Sequence, residues 1–328
     1  MKIVICDYKD SMMPTHDYES KILNEGIENA DIHIYEYKDE KRNEFLDFIE
    51  DANVILTGFV RIDKDVFERA KNLICVSINA TGYDNVDLAE ATKHSVAVFP
   101  VGEYCTKDVA EHTMALMLSL NKNLKHYTSD IEKRHIWKYD SATAPTRIEN
   151  QTLGIFGLGK IGKRVARLAQ GLGMNVIATD PYVSKEQGEA IGVRMVEPDE
   201  IYEEADVITN HMNLESSNTE YFTMKEFSKM KKSPIFLNLG RGMSINESDL
   251  AKALDDKLIR AVGVDVLHDE TPKLEGHILA GRDNVIITPH SAFYSKESME
   301  DLQRISCQNI VYYLRGEKDK VFKLVNEI

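Results

Sequence analysis

The chain has 328 residues, which at roughly 150 residues per domain predicts about two domains. With 43% hydrophobic and 29% charged residues its composition is that of a globular protein, which argues against disorder, a collagen-like repeat or a disulfide scaffold. A formal net charge of −14 disfavours binding to nucleic acid or to an anionic membrane surface.

The termini and cysteines favour a cytoplasmic protein. The apolar run at 3–6 ends at Asp7 and is too short for a signal peptide, and no stretch approaches the ~20 apolar residues of a membrane span. The four cysteines match neither a disulfide framework nor a zinc site, so we expect reduced thiols and no metal. They are Cys6, Cys75, Cys105 and Cys307.

Short apolar, β-branched runs alternate with amphipathic segments along nearly the whole chain, which is typical of parallel sheets covered by helices. The first series predicts strands at 2–6, 32–37, 54–57, 73–78 and 96–99. The second series predicts strands at 152–156, 175–179, 207–209, 235–239, 261–266 and 285–288. The predicted fold class is therefore α/β, with two doubly wound, Rossmann-like parallel sheets.

Helical spacing of apolar residues predicts one helix over 110–125, long enough to bridge two domains. A loop is predicted at 141–146, and a final amphipathic helix over 298–315. Periodicity does not tell where that last helix packs.

The segment Gly157-Leu158-Gly159-Lys160-Ile161-Gly162 follows a predicted strand and opens a predicted helix over 161–172. In that context the three glycines indicate a dinucleotide-binding turn, because they permit a tight bend, close approach of a pyrophosphate and close packing of helix on strand. The helix N-terminus adds N–H groups and partial positive charge.

Asp180 ends the next predicted strand, 18 residues after Gly162, close to the ~20 expected for the acid that binds the adenosine ribose. A carboxylate there would repel a 2′-phosphate, so NAD is favoured over NADP. The alternative is an ordinary strand-to-helix turn in which Asp180 caps a helix.

Polar residues follow each predicted strand of the second series, where ligands of open parallel sheets bind. They are Asp180, His211, Arg241, Asp265, Glu270 and His290. Hydride transfer to a carbonyl needs a proton donor, a group that tunes it and a cation for the substrate's charge. His290, Glu270 and Arg241 meet these needs, although each alone could be a loop or surface residue. We assign His211 and Asp265 to the cofactor site, with a structural role as the alternative.

Several blocks resemble the D-isomer-specific 2-hydroxyacid dehydrogenase family across nearly the whole chain. They are the glycine run with Asp180, Asn238-Leu239-Gly240-Arg241-Gly242, Gly263-Val264-Asp265-Val266 with Glu270, and Thr288-Pro289-His290. The resemblance implies that Arg241 binds the substrate carboxylate and carbonyl, His290 is the acid/base, and Glu270 tunes it.

The resemblance further implies a substrate-binding domain of 1–101 plus 299–328, an inserted NAD-binding domain of 102–298, and an active-site cleft between them. It implies a homodimer through the NAD-binding domain. Thr81 and Gly82 would grip the substrate carboxylate through backbone N–H groups, and Val109 would face the nicotinamide. Tyr104 and Tyr294 would line the substrate pocket as in the D-lactate and D-2-hydroxyisocaproate branch, with simple packing as the alternative.

Asn213 stands where the family usually has a proline next to the adenine.

The predicted function is a cytoplasmic, NAD-dependent oxidoreductase interconverting a 2-oxoacid and a D-2-hydroxyacid. The alternatives are a non-catalytic, corepressor-like NAD(H)-sensing protein and a methyltransferase on a Rossmann-type sheet. Neither needs Arg241, Glu270 and His290 together, and the particular 2-oxoacid is not predicted.

Overall fold

A computed structural model describes residues 1–11, 13, 15–269 and 271–328. Backbone contacts divide the chain into two compact units. The first unit is Met1–Tyr104 with Ser295–Ile328, and the second is Cys105–Tyr294. The substrate-binding and NAD-binding roles assigned to 1–101 with 299–328 and to 102–298 stay predictions at this stage.

The described residues form twelve strands and twelve α-helices. The strands are β1 Lys2–Tyr8, β2 Asp31–Tyr37, β3 Val54–Thr57, β4 Cys75–Ile78, β5 Ala97–Pro100, β6 Thr152–Phe156, β7 Asn175–Thr179, β8 Arg194–Met195, β9 Val207–Asn210, β10 Ile235–Asn238, β11 Ala261–Val264 and β12 Val285–Ile287. The helices are α1 Asp17–Gly26, α2 Arg42–Phe48, α3 Lys64–Arg69, α4 Leu88–Lys93, α5 Thr106–Asn121, α6 Leu124–Ser129, α7 Lys160–Gly171, α8 Lys185–Glu189, α9 Pro198–Glu204, α10 Met224–Phe227, α11 Glu247–Asp255 and α12 Lys296–Leu314.

The first unit is built on a parallel sheet whose described strands run in the order β2-β1-β3-β4-β5. Successive residues of β1 point to opposite faces, so Val4 packs in one core and Ile3 in the other. Phe45 of α2 and Phe67 of α3 fill the first of these cores. The sheet is therefore buried on both faces, as an all-parallel sheet requires.

The C-terminal helix α12 packs on the sheet formed by the first hundred residues. Cys307 and Ile310 lie in the same core as Ile3, and Ser77 donates from Oγ to the carbonyl oxygen of Ser306 at 3.1 Å. Helix α1 approaches α12 so closely that a Cβ on Gly26 would lie 2.3 Å from the Val311 side chain. This packing is the information that periodicity could not supply.

The second unit is built on a parallel sheet whose described strands run in the order β12-β11-β10-β9-β6-β7-β8. Leu153 and Ile155 of β6 face the core filled by α5 and α7, while Phe156 faces the core filled by α9 and α11. Strand order reverses at β6, which places a topological switch point there. The predicted α/β class with two parallel sheets is confirmed.

The single helix predicted over 110–125 is wrong. Helix α5 ends at Asn121, and Asn123 adopts a left-handed backbone with φ +53° before α6 begins at Leu124. Asparagine tolerates this conformation better than most residues, which explains a break that apolar spacing does not show. Strand β8 was also not predicted, because two residues carry no periodic signal.

Within the described ranges, no helix is both long enough and apolar enough to cross a membrane. In the same ranges, no three His, Cys, Asp or Glu side chains group in a way that could hold a metal ion. Cys6, Cys75 and Cys307 are buried free thiols, and Cys105 is partly buried.

Candidate active site

The carboxyl ends of six neighbouring strands bring six predicted site residues of the second unit to one edge of the sheet. Five spacings between neighbouring strands separate β12 from β7, so at about 4.8 Å per spacing this edge is about 24 Å long. Along this edge the residues follow in the order His290, Asp265, Arg241, His211, Gly157 and Asp180.

The glycine run after β6 has the geometry of a phosphate-binding turn. Gly157 has φ +89°, and a Cβ on Gly162 would lie 2.2 Å from the carbonyl oxygen of Gly157. A Cβ on Gly159, the N-cap of α7, would meet nothing within 4 Å. Two glycines are therefore required by the protein's own packing, while the third leaves open space in front of the N-terminus of a twelve-residue helix, which suits an incoming phosphate.

Asp180 ties this turn to the end of β7. Its Oδ2 accepts from the backbone N–H of Leu158 at 2.8 Å, and its Oδ1 accepts from that of Tyr182 at 2.8 Å. Leu158 is fully buried, whereas Tyr182 is 81% exposed. The carboxylate is thus fixed beside the glycine turn, where ribose hydroxyls of a dinucleotide would need an acceptor.

His211 follows β9 and faces the glycine turn with its backbone. A Cβ on Gly157 would lie 2.9 Å from the carbonyl carbon of His211. The imidazole contacts Thr209 Oγ1 through Nε2 at 3.0 Å, and its buried Nδ1 has no partner in the described structure. Burial lowers the pKa of His211 to about 3, so the ring is neutral at physiological pH. Its predicted contact with a cofactor stays a prediction.

Arg241 is held by a network of buried amides from the last residues of β9 and β10. Asn210 donates from Nδ2 to Asn238 Oδ1 at 3.0 Å and to Ser244 Oγ at 2.9 Å. Asn238 Nδ2 and Ser244 Oγ in turn donate to the carbonyl oxygen of Arg241, at 3.0 and 2.6 Å. A Cβ on Gly242 would lie 1.8 Å from the Leu267 carbonyl oxygen, so the loop also rests on the segment after β11. The backbone of Arg241 therefore has a rigid support, and its half-buried guanidinium donates from Nη1 to the Gly240 carbonyl oxygen at 3.0 Å.

Asp265 cradles the turn that carries His290. Its Oδ1 accepts from Thr288 Oγ1 at 2.5 Å and from the Ser291 N–H at 2.9 Å, and its Oδ2 accepts from the Ala292 N–H at 2.9 Å. His290 itself is exposed, with a left-handed φ of +49°. Asp265 was assigned to the cofactor, and that contact stays a prediction, because the contacts described here are to the turn and to the side chain of His112.

Glu270, the predicted partner of His290, lies outside the described residues. On one side of it the His268 N–H donates to Glu247 Oε1 at 2.7 Å. On the other the Thr271 N–H donates to Asp269 Oδ1 at 2.9 Å. The role of Glu270 stays a prediction.

The predicted residues of the first unit follow β4 and β5. Thr81 is exposed and Gly82 half-buried in a loop that Asn85 secures by donating from Nδ2 to the carbonyl oxygen of Val60 at 2.9 Å. Tyr104 is half-buried at the end of this unit's first segment. Their contacts with substrate stay predictions.

Four further predicted residues belong to the second unit. Val109 is 7% exposed and packs in the core of α5 and α7. Tyr294 is 72% exposed, with its ring centroid 6.3 Å from that of Phe293. Lys160 is exposed at the start of α7, and Ile161 is partly buried on its core face. For Val109, a core contact is what the structure shows, and contact with a nicotinamide stays a prediction.

Sequence reasoning missed His112, whose Nε2 lies 3.0 Å from Thr288 Oγ1 and 3.8 Å from Asp265 Oδ1. It also missed the amides of Asn210 and Asn238. The asparagines do have a signal, since both end apolar strands at the edge where the site forms. For His112 no local signal exists, because its partner is 176 residues away.

A family model for the NAD binding domain of the D-isomer specific 2-hydroxyacid dehydrogenases matches residues 114–292. The chain belongs to this family. The match spans β6 to β12, so the glycine turn and the strand-end residues of this family member lie in the segment that matches the NAD binding domain. Membership excludes the methyltransferase alternative.

Relatives support the same assignment. The D-3-phosphoglycerate dehydrogenase of Methanocaldococcus jannaschii is 33% identical over 319 residues, covering 97% of this chain and 58% of that protein. The glycerate dehydrogenase of Methylorubrum extorquens is 31% identical over 305 residues, covering 88% of this chain and 92% of that protein. The chain spans 58%, 42% and 49% of the length of three phosphoglycerate dehydrogenases that it matches, about half on average.

A solved structure shares the fold over the whole length. The D-lactate dehydrogenase from Aquifex aeolicus, complexed with NAD and lactic acid, superposes with a TM-score of 0.83 at 24% identity, covering 99% of each chain. At that identity the likeness establishes the fold alone.

Proposed function

We propose that this family member is an NAD-dependent oxidoreductase that interconverts a 2-oxoacid and a D-2-hydroxyacid. The observation that carries the proposal is the row of strand ends, where a phosphate-binding turn, a fixed acid, a supported arginine and a preorganised histidine turn share one edge of the sheet. A protein that only senses NAD(H) needs the first two of these features but not the last two.

The residues present fit NAD. The open space at Gly159 and the N-terminus of α7 would receive the pyrophosphate, and Asp180 would accept hydrogen bonds from the adenosine ribose. When bound, NAD supplies the hydride acceptor, and NADH the hydride donor, of the reaction. Because Asp180 presents a carboxylate where NADP would carry its 2′-phosphate, NAD is the proposed cofactor.

Arg241 is proposed to bind the substrate carboxylate. A guanidinium stays charged at any working pH and offers paired N–H donors that match the two oxygens of a carboxylate. Asn238 bonds to the Arg241 backbone and Asn210 holds Asn238 in turn, so little loop entropy remains to be lost on binding. Thr81 and Gly82 are kept as proposed carboxylate-binding residues of the first unit, and Tyr104 and Tyr294 as proposed pocket residues.

His290 is proposed to donate a proton from its imidazole to the carbonyl oxygen during reduction and to accept it back during oxidation. An imidazole titrates near neutrality, which suits transfer in both directions. Glu270 is proposed to favour the protonated ring as a neighbouring carboxylate does.

The remaining proposals concern assembly and location. We propose a homodimer through the NAD-binding domain. Two large aromatic side chains support it, since Trp137 and Tyr139 are 91% and 90% exposed. Their segment is held in place, because the Tyr127 hydroxyl donates to the Tyr139 carbonyl oxygen at 2.7 Å. The buried free thiols of Cys6, Cys75 and Cys307 agree with the proposed cytoplasmic location.

The test is a panel of 2-oxoacids incubated with NADH while its absorbance is followed. The panel should include pyruvate, branched-chain, aromatic, hydroxylated and phosphorylated members, and the product should be resolved on a chiral column. The proposal expects turnover of at least one member with the D-isomer as product. An L-product would contradict the proposed D-2-hydroxyacid specificity. Tight NADH binding with no turnover across the panel would favour the NAD(H)-sensing alternative.

A further inference from the structure

We propose that His112 is a positioning residue for His290, acting through Thr288 and Asp265. The inference rests on the proposed role of His290 and adds a residue of helix α5 to the support of that site. It is drawn entirely from contacts within the second unit.

The backbone at His290 needs outside support. A left-handed φ of +49° costs a residue with a side chain roughly 1 kcal/mol or more, and it persists only where neighbouring groups hold it. The His290 N–H donates to the carbonyl oxygens of Asp265 and Thr288 at 2.8 and 3.0 Å. The next two N–H groups, of Ser291 and Ala292, donate to the Asp265 carboxylate. Asp265 is therefore the main anchor of the turn.

Hydrogen-bond directions link His112 to this anchor. The ionised carboxylate of Asp265 only accepts, so the single hydroxyl proton of Thr288 is donated to it across 2.5 Å. Thr288 Oγ1 can then only accept from His112 Nε2, 3.0 Å away, and His112 must carry a proton on Nε2. The chain of donation runs from His112 to Thr288 to Asp265.

His112 is also a basic side chain beside this carboxylate. Asp265 is 2% exposed, and a buried carboxylate is costly without a compensating group. Among the residues that the structure describes, His112 is the basic side chain within 4.0 Å of it, with Nε2 3.8 Å from Oδ1. Removing His112 would weaken the Thr288 contact and leave the carboxylate to the N–H groups of Ser291 and Ala292.

Matched substitutions separate the hydrogen bond from mere packing. His112→Gln keeps an N–H donor near the Nε2 position, while His112→Phe keeps a ring and loses the donor. Thr288→Ser keeps the hydroxyl, and Thr288→Val keeps the shape. Glu111→Gln, an exposed change one residue away on α5, is the control.

The first readout needs no activity. In protein carrying ¹³C-labelled histidine, the His290 ring signal is assigned by its loss in His290→Gln and titrated in each variant. The inference expects His112→Phe and Thr288→Val to shift the His290 signal and its midpoint, with the wild-type titration retained in His112→Gln, Thr288→Ser and Glu111→Gln. An unchanged His290 titration in His112→Phe would overturn the inference.

The second readout is kinetic, with the best 2-oxoacid. A misplacement near 1 Å costs up to about 100-fold, so His112→Phe and Thr288→Val should lower kcat by about 10- to 100-fold and change KM by less than about threefold. The double variant should be about as slow as the worse single one, because both remove the same chain of contacts. Multiplicative losses in the double variant, or equal losses in His112→Gln, would contradict it.

The two readouts distinguish the failures. If the wild-type protein reduces no 2-oxoacid but the His290 signal responds as expected, the proposed function fails and the positioning role stands. If the wild-type protein is active and neither readout responds to His112→Phe, the positioning role fails alone.

Discussion

Gly159→Ala and Gly162→Ala place the same methyl group in the same turn with opposite expected effects. Gly159 has φ −71° and ψ −157°, a backbone that other residues adopt, and its Cβ would meet nothing within 4 Å. The Cβ on Gly162 would lie 2.2 Å from the Gly157 carbonyl oxygen. We expect the first variant to fold normally and bind NADH poorly, and the second to be destabilised.

The magnitudes follow from these distances. In Gly162→Ala, a contact of 2.2 Å with a backbone atom is more than 1 Å too close, so β6 and α7 must shift. We expect this shift to lower the free energy of unfolding by about 1–3 kcal/mol or more. Gly159→Ala should leave the free energy of unfolding unchanged or raise it by about 0.4–1 kcal/mol, because the unfolded chain loses entropy. Its methyl group fills the space proposed for the pyrophosphate. We therefore expect the affinity for NADH to fall at least about tenfold, which corresponds to about 1.4 kcal/mol of binding free energy.

The assays are NADH titration followed by fluorescence and urea unfolding of both variants. Wild-type NADH affinity in Gly159→Ala would refute the assignment of the phosphate to this turn. Wild-type stability in Gly162→Ala would refute the packing argument, which is separate from the cofactor argument.

Three further predictions test individual side chains. Asp265→Asn should lower the free energy of unfolding by about 2–3 kcal/mol, because an amide cannot accept from the N–H groups of both Ser291 and Ala292. A loss below about 1 kcal/mol in urea unfolding would contradict this prediction. Folding lowers the pKa of His211 from 6.5 to about 3, so below pH 6.5 the unfolded chain binds a proton that the folded protein does not. The free energy of unfolding therefore falls as the pH falls below 6.5, by up to about 1.4 kcal/mol per pH unit. His211→Gln should flatten that slope, and equal slopes in urea unfolding from pH 6 to pH 4 would count against it. Asp180→Asn should raise the ratio of NADPH to NADH affinity at least about tenfold, and an unchanged ratio would remove the basis for the NAD preference.

Features encoded by neighbouring residues were predictable from the sequence. The strand β6, the glycine turn and helix α7 occupy adjacent positions, and each glycine has a local steric reason. Arg241 and His290 were found because strand ends of a parallel sheet share one edge, so a linear pattern of polar residues after apolar runs maps onto that edge.

Features that depend on distant pairing or on side-chain direction were not predictable. Nothing local marks His112 as a neighbour of Thr288, and nothing in the sequence says that Asp265 points at the turn of residues 288–292. The break at Asn123 is a backbone conformation that apolar spacing does not register. Val109 was placed by resemblance toward the nicotinamide, and only packing shows its burial in the core.

The central claim is that His290 transfers the proton in a 2-oxoacid reduction. It is tested most directly by comparing kcat of the wild-type protein and His290→Ala on the best 2-oxoacid, with the Kd of NADH measured in both. A general acid contributes about 10²–10⁴-fold, so we predict a fall of that size in kcat with the Kd of NADH unchanged within about threefold. A His290→Ala protein that keeps most of its turnover would contradict the account.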